Sequence, residues 1–121
     1  MNIDYPKKFS EFEIQAQLYS KLLQSGYDVR GEVKAHRCRF DLVIFDENKN
    51  AQAIIEVKNY RNLTSPNTLT KQYQKYKKFN KMLLYCCNKL QIESTLKQIQ
   101  INIPTRKQKG FFTSKYRKEI K

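Results

Sequence analysis

The chain has 121 residues, a formal net charge of +13 and three cysteines, and 40% of its residues are hydrophobic. This length fits one domain with a core of its own, and no stretch approaches the roughly 18–20 apolar residues that a membrane span needs. An odd cysteine count without CxxC spacing disfavours a disulfide framework and a cysteine-built metal site, so we expect reduced, buried cysteines. The N-terminal residues lack the apolar core of a signal peptide, which predicts a cytoplasmic protein.

The basic residues are concentrated in the second half of the chain. Residues 1–56 contain eight Lys or Arg and nine Asp or Glu, whereas residues 57–121 contain sixteen Lys or Arg and two acids, Glu93 and Glu119. Such a one-sided distribution predicts a polyanionic partner, with nucleic acid as the first choice. The alternative is that the excess charge serves solubility alone.

The first predicted element is an amphipathic helix over residues 11–25. Ser10 can cap this helix, with Glu13 three residues later as in a capping box, and Gly26 suits its C-terminal end. Three strands follow, over residues 27–33, 38–45 and 51–58. The polar residues 46–50 predict a tight turn, so the second and third strands should form an antiparallel hairpin.

The second half predicts alternating helices and strands. In order, these are a helix over residues 67–81, a buried strand over 82–87, an amphipathic helix over 89–100 and a short edge strand at Ile101 and Ile103. The whole pattern, α-β-β-β-α-β-α, predicts an α/β fold with a mixed central sheet of about four strands and helices on both faces. We divide the chain into a domain over residues 1–103 and a basic, aromatic tail over 104–121.

Charged residues interrupt two of the apolar strands. Glu56 and Lys58 in "AIIEVKN" are two residues apart and share a face, and Asp41 in "RFDLVIF" lies on the neighbouring strand near the same end of the hairpin. Two adjacent carboxylates repel unless one is protonated or a cation binds. Mg²⁺ prefers oxygen ligands, so we predict Mg²⁺, with Mn²⁺ as a substitute, held by Asp41, Glu56 and the carbonyl of Val57. The alternative is a buried ion-pair network of the three charged residues.

The segment "FDLVIFDENKNAQAIIEVKN" resembles the active-site core of the PD-(D/E)xK nuclease superfamily, which has the restriction-endonuclease-like fold. The likeness consists of an Asp followed, after a hairpin, by Glu-x-Lys, with the predicted helix and strand order around it. Phe40 stands where the motif usually has Pro. The resemblance implies that Asp41 and Glu56 are metal ligands and that Lys58 is the catalytic lysine.

Two further residue patterns extend this resemblance. Gln72 and Tyr76, spaced i and i+4, are similar to the Gln-xxx-Tyr element of the RecB-like branch, in which these residues contact substrate or orient the site. The alternative is a helix that is merely rich in Gln and Tyr. Many members also carry a Glu on the first helix that completes the metal site, which implies Glu13, with Glu11 in reserve. The capping role of Glu13 competes with this interpretation.

Basic residues beyond the predicted site should contact the nucleic-acid backbone. The predicted nucleic-acid-binding residues are Arg61, Lys71, Lys75, Tyr76, Lys78, Arg106, Lys107 and Arg117. Aromatic residues of the tail could stack on bases, or pack onto the domain or a second subunit.

These features together predict a Mg²⁺-dependent DNA endonuclease of the homing or mobile-element, restriction or repair type. A chain this small that cuts both strands of a duplex is expected to act as a homodimer or a higher symmetric oligomer. Two alternatives stay open. One is a non-catalytic basic nucleic-acid-binding protein that keeps the nuclease fold, and the other is an accessory subunit of a recombination complex.

Overall fold

The structure is a computed structural model that describes residues 2–59, 75–77, 79 and 81–105. Its elements are α1 (Glu11–Gln24), β1 (Asp28–Ala35), β2 (Cys38–Phe45), β3 (Ala51–Val57), β4 (Met82–Cys86), a 3₁₀ turn (Lys89–Gln91) and α2 (Ile92–Asn102). The strands form one four-stranded sheet in the order β1-β2-β3-β4. The first three strands are antiparallel neighbours, and β4 runs parallel to β3. The predicted α/β class and the mixed sheet are therefore confirmed.

The order of elements differs from the prediction after β4. The predicted edge strand at Ile101 and Ile103 is wrong, because α2 continues to Asn102 and leaves Ile101 73% exposed. The two isoleucines have the spacing of a strand, but Leu96 and Ile99 set a helical period that carries through the segment. Of the helix predicted over residues 67–81, residues 75–77 are helical, and most of the rest lies outside the described residues.

Both ends of α1 form as the sequence predicts. The Ser10 hydroxyl accepts the N–H of Glu13 at 3.2 Å, which satisfies one of the N–H groups that a helix start leaves unpaired. Gly26 has φ = 94° and donates its N–H to the Leu23 carbonyl, and the residue after it donates to the Leu22 carbonyl. These two bonds make a Schellman motif, whose left-handed residue is most often glycine.

The sheet buries apolar side chains on both faces. The first core lies between the sheet and the two helices and contains, among others, Ile14, Leu18, Leu22, Leu42, Ile44, Ile55, Val57, Leu96 and Ile99. The second core, on the opposite face, contains Cys38, Phe40, Val43, Ile54 and Tyr76, with Phe79 packed against it. Thus α1 and α2 share one face, and the helical residues 75–77 supply Tyr76 to the other.

The three cysteines have the burial that the sequence predicts. Cys38, Cys86 and Cys87 are buried and free, as expected for reduced thiols. None of the helices that the structure describes is both long enough and apolar enough to cross a bilayer.

The turn over residues 46–50 and a β-bulge next to it together set the register of the β2–β3 hairpin. The Asp46 carboxylate accepts the N–H groups of Asn48 and Asn50 at 2.9 Å each, and the Asp46 N–H donates to the Asn50 carbonyl at 2.8 Å. Asp is common in such turns because its side chain can accept these backbone N–H groups. Phe45 pairs with Ala51 next to the turn, and the pairing then shifts by one residue, so that Leu42 lies opposite Ile55.

Candidate active site

Strands β2 and β3 separate at the end of the hairpin remote from its turn. Their last ladder pair is Leu42 with Ile55, so Asp41 and Glu56 are the first residues beyond the ladder. Strand β3 nevertheless continues to pair with β4, with Glu56 beside Tyr85. A gap between β2 and β3 therefore begins where the two acids lie.

Carboxylate oxygens replace the ladder bonds across this gap. The Val57 N–H donates to Oδ2 of Asp41 at 2.8 Å, and the Asp41 N–H donates to Oε1 of Glu56 at 3.4 Å. Backbone N–H groups that leave a ladder need another acceptor, and a carboxylate is a strong one. The structure thus brings Asp41 and Glu56 together, as the hairpin predicted.

Glu56 is a buried acid, and only 2% of its surface is exposed. Burial, followed by the charge of the adjacent Asp41, raises the pKa of Glu56 to about 8. The Lys58 ammonium acts in the opposite direction and lowers this pKa. Without another cation, the Glu56 carboxyl therefore keeps its proton at neutral pH, which is the charge conflict that the sequence indicated.

Lys58 lies on the same face of β3 as Glu56. Ile54 packs in the second core, whereas Ile55 and Val57 pack in the first, so the alternation places Glu56 and Lys58 toward the second face. The Lys58 N–H donates to the Cys86 carbonyl at 2.8 Å, which keeps this residue aligned with β4 beyond the end of the strand. Lys58 is half-buried.

Comparisons of the chain with protein-family models, curated proteins and solved structures find no match. The likeness to the PD-(D/E)xK superfamily therefore stays a prediction, and the geometry of Asp41, Glu56 and Lys58 is what supports a function.

Glu13 does not join the two acids in a three-ligand cluster. Among the residues that the structure describes, no group of three or more His, Cys, Asp or Glu could hold a metal ion. The Glu13 N–H donates to the Ser10 hydroxyl, a contact of the backbone that leaves both predicted roles of the Glu13 carboxylate as predictions, and Glu11 is exposed. The candidate ligand set is accordingly a pair of carboxylates.

Tyr76 packs against the strand that carries Asp41. Its side chain is 6% exposed, its hydroxyl donates to the Arg39 carbonyl at 3.3 Å, and its ring contacts Phe40 edge-on with centroids 4.9 Å apart. A direct contact with nucleic acid requires an accessible side chain, so this burial speaks against Tyr76 as a nucleic-acid-binding residue. Its position instead indicates a packing role next to the site.

The remaining predicted contacts fall mostly outside the described part of the chain. Lys75 is described and exposed, as a backbone-contacting lysine should be. The predicted residues that lie outside the described ranges are Arg61, Lys71, Gln72, Lys78, Arg106, Lys107 and Arg117.

Three residues near the site are not among those that the sequence predicts. Gln15 of α1 donates from Nε2 to the Asp41 carbonyl at 3.1 Å, and Tyr85 is the ladder partner of Glu56. Cys87 lies next to Lys58, whose ammonium opposes the burial that raises the pKa of the thiol. No local pattern marks these residues, because their position depends on how α1 and β4 pack against the hairpin.

Proposed function

We propose that this protein is a Mg²⁺-dependent DNA endonuclease with a restriction-endonuclease-like core. The observation that carries the proposal is a buried Glu56 carboxyl in hydrogen-bond contact with Asp41, with Lys58 on the same face at the open end of the sheet. Two carboxylates in contact, one of them buried and one partly buried, are unfavourable for the fold alone, and a bound cation would offset this cost.

The donor atoms at the gap suit a hard divalent cation. Asp41 and Glu56 supply carboxylate oxygens, and Mg²⁺ is often held by one or two carboxylates together with substrate phosphate. In an extended residue the N–H and the carbonyl point to the same side of the strand, so the Val57 carbonyl is directed toward the gap that its N–H enters. A divalent cation bound here would neutralise the acids and stabilise negative charge on a phosphodiester during hydrolysis.

The side chains of the gap have distinct tasks in this proposal. The Val57 N–H orients the Asp41 carboxylate, and the buried Glu56 carboxyl releases its proton when positive charge arrives. The half-buried Lys58 ammonium stabilises charge that develops on the phosphate and orients the attacking water. Preorganised groups of this kind do not have to reorient during the reaction.

The partner in this proposal is DNA, and the acting form is a homodimer or a higher symmetric oligomer in the cytoplasm. The net charge of +13, with sixteen of 24 basic residues after position 56, supports a polyanionic substrate. A duplex has two equivalent strands, so a symmetric pair of small subunits can cut both of them.

A cleavage assay with variants separates the enzyme from a non-catalytic binder. Supercoiled plasmid is incubated with the purified chain and Mg²⁺ or Mn²⁺, while affinity for the same DNA is measured by fluorescence anisotropy. We expect metal-dependent nicking that Lys58→Met and Asp41→Asn each reduce by on the order of 100-fold or more, with binding retained. Lys97→Met, which removes an exposed lysine of α2, is the matched control and should cut like the wild type.

The opposite result would be equally clear. DNA that is bound but stays intact with every metal would identify a non-catalytic nucleic-acid-binding protein. Cleavage that persists in Lys58→Met and Asp41→Asn preparations would locate the activity elsewhere.

A further inference from the structure

At one position of the β1–β2 hairpin, here called the step, the side chains of both strands change from one face of the sheet to the other. On β2, Leu42 and Ile44 pack in the first core, whereas Phe40 packs in the second. On β1, Val29 packs in the first core and Val33 against the second. Residues an even number of positions apart on a regular strand share a face, so both strands exchange their faces at the same place.

This step consists of Glu32 on β1 and Asp41 on β2. The ladder pairs on either side keep one register, but Glu32 and Asp41 are not themselves paired. Glu32 has φ = 54°, in the left-handed region that is unfavourable for a residue with a side chain. Other contacts must therefore hold the two residues in this conformation.

Gln15 of α1 spans the unpaired step. Its Nε2 donates to the Asp41 carbonyl at 3.1 Å and to Oε1 of Glu32 at 3.4 Å. The second oxygen of Glu32 forms a salt bridge with Arg39 at 3.1 Å. A part-buried carbonyl without a hydrogen-bond partner destabilises a fold, and the Gln15 amide replaces the bond that the ladder does not supply at Asp41.

Asp41 also connects this step to β3. Its N–H donates to Glu56 and its carboxylate accepts the Val57 N–H, so a chain of hydrogen bonds runs from α1 to the gap. We propose that Gln15 is a positioning residue, whose amide fixes the backbone of Asp41 and thereby places the Asp41 carboxylate beside Glu56. The consequence for metal binding rests on the proposed function, whereas the placement of the carboxylate does not.

The test replaces the Gln15 amide donor and follows the hydrogen bond from the Val57 N–H to the Asp41 carboxylate. Gln15→Met keeps the length of the side chain and removes both N–H donors, and Gln24→Met makes the same change at the exposed last residue of α1. Hydrogen exchange of the Val57 amide is measured by NMR in metal-free protein, with the Ile55 amide as the reference for opening of the whole strand. We expect Val57 exchange in Gln15→Met to rise about tenfold relative to Ile55, as for the loss of a bond of about 1.4 kcal/mol.

A second readout follows the binding of Mn²⁺ by titration calorimetry. Loss of a partner that orients a metal ligand typically weakens binding 10–100-fold, so we expect a decrease of about that size in Gln15→Met and none in Gln24→Met. If Gln15→Met fails to fold, Gln15→Glu is measured in the same way, because an ionised carboxylate keeps the shape but cannot donate.

The outcomes distinguish this inference from the proposed function. Val57 exchange that is unchanged, or that rises by the same factor as Ile55 exchange, overturns the positioning role whatever the metal does. A wild-type protein that binds no Mn²⁺ overturns the metal-dependent function, and the Val57 exchange still decides the role of Gln15.

Discussion

At the scale of single residues, the fold makes ionisation of Glu56 unfavourable. The unfolded chain exposes this acid to water, where its pKa is near the usual 4.5, whereas in the folded protein burial and Asp41 raise the pKa to about 8. Between these values the folded state binds the proton that the unfolded state has lost. Stability must therefore fall as the pH rises through this window, by at most about 1.4 kcal/mol per pH unit at 25 °C.

Replacing Glu56 by Gln should remove this pH dependence. Gln has the shape of the protonated acid but cannot ionise, so Glu56→Gln should be more stable than the wild type above pH 8 and similar to it below pH 4.5. Urea unfolding across this pH range measures the difference. Glu93→Gln, which alters an exposed acid of α2, should keep the wild-type slope, and an equal slope in Glu56→Gln would contradict the assignment.

Binding of Mg²⁺ should stabilise the protein more at high pH than at low pH, the opposite of the pH dependence in metal-free protein. The cation needs the ionised carboxylate and competes with its proton, so the rise in Tm on adding Mg²⁺ should be larger above pH 8 than at mildly acidic pH. Scanning calorimetry with and without millimolar Mg²⁺ tests this expectation. Asp41→Asn removes one of the two carboxylates and should abolish most of the shift, whereas an undiminished shift would place the cation elsewhere.

At the scale of elements, the sequence predicts the left-handed residue that ends α1 but not the left-handed residues of the turn between β1 and β2. Gly26 ends α1 as the sequence indicates, because a left-handed residue is needed there and glycine adopts it freely. The turn between β1 and β2 uses His36 and Arg37, with φ of 51° and 63°. Two successive left-handed residues match the type I′ hairpin turn, which normally selects Asn and Gly.

Glycine at position 37 should therefore stabilise the hairpin. The left-handed conformation costs roughly 1–2 kcal/mol for a residue with a side chain and little for glycine, so Arg37→Gly should raise the free energy of unfolding by about 1 kcal/mol. Thermal unfolding measures the gain. Lys34→Gly removes the same charge from an exposed extended position of β1 and should destabilise instead, because glycine weakens a strand. A loss of stability in both variants would show that Arg37 makes contacts that outweigh its backbone strain.

At the scale of the whole molecule, charge and fold are unevenly divided along the chain. The Asp41–Glu56 pair belongs to a half with nearly balanced charge, whereas the excess of basic residues lies after position 56. A protein that binds DNA mainly through such residues releases counterions, so its affinity falls linearly with salt on a double logarithmic plot.

Removing residues 106–121 tests how the tail contributes to this binding. The segment contains seven Lys or Arg and one acid, and the removal of each residue that neutralises a phosphate should reduce the salt slope by about 0.9. Affinity for a DNA duplex is measured over a series of salt concentrations for the full chain and for the chain ending at Thr105. An unchanged slope would show that the basic residues before position 106 account for binding.

Local interactions explain what the sequence determined by itself. The helix over residues 11–24 and the turn over 46–50 depend on capping and turn rules that act between near residues. The hairpin pattern also brings Asp41 and Glu56 to the same end of the two strands, but the β-bulge between Ile44 and Phe45 sets their final register. The charge division is likewise visible without coordinates. By contrast, the strand-like spacing of Ile101 and Ile103 gives a wrong prediction, because the period of the preceding helix overrides it.

Only the tertiary structure decided how deeply Glu56 is buried and which residues from other elements support the gap. The burial of Glu56, its neighbour Tyr85 and the bond from Gln15 to Asp41 all join segments that are distant along the chain. The parallel register of β3 and β4 and the docking of α1 arise from packing of the whole sheet, and no near-neighbour rule encodes them. The sequence thus determined which charged groups meet, and the fold determined how strongly they oppose each other, because desolvation depends on every segment that covers them.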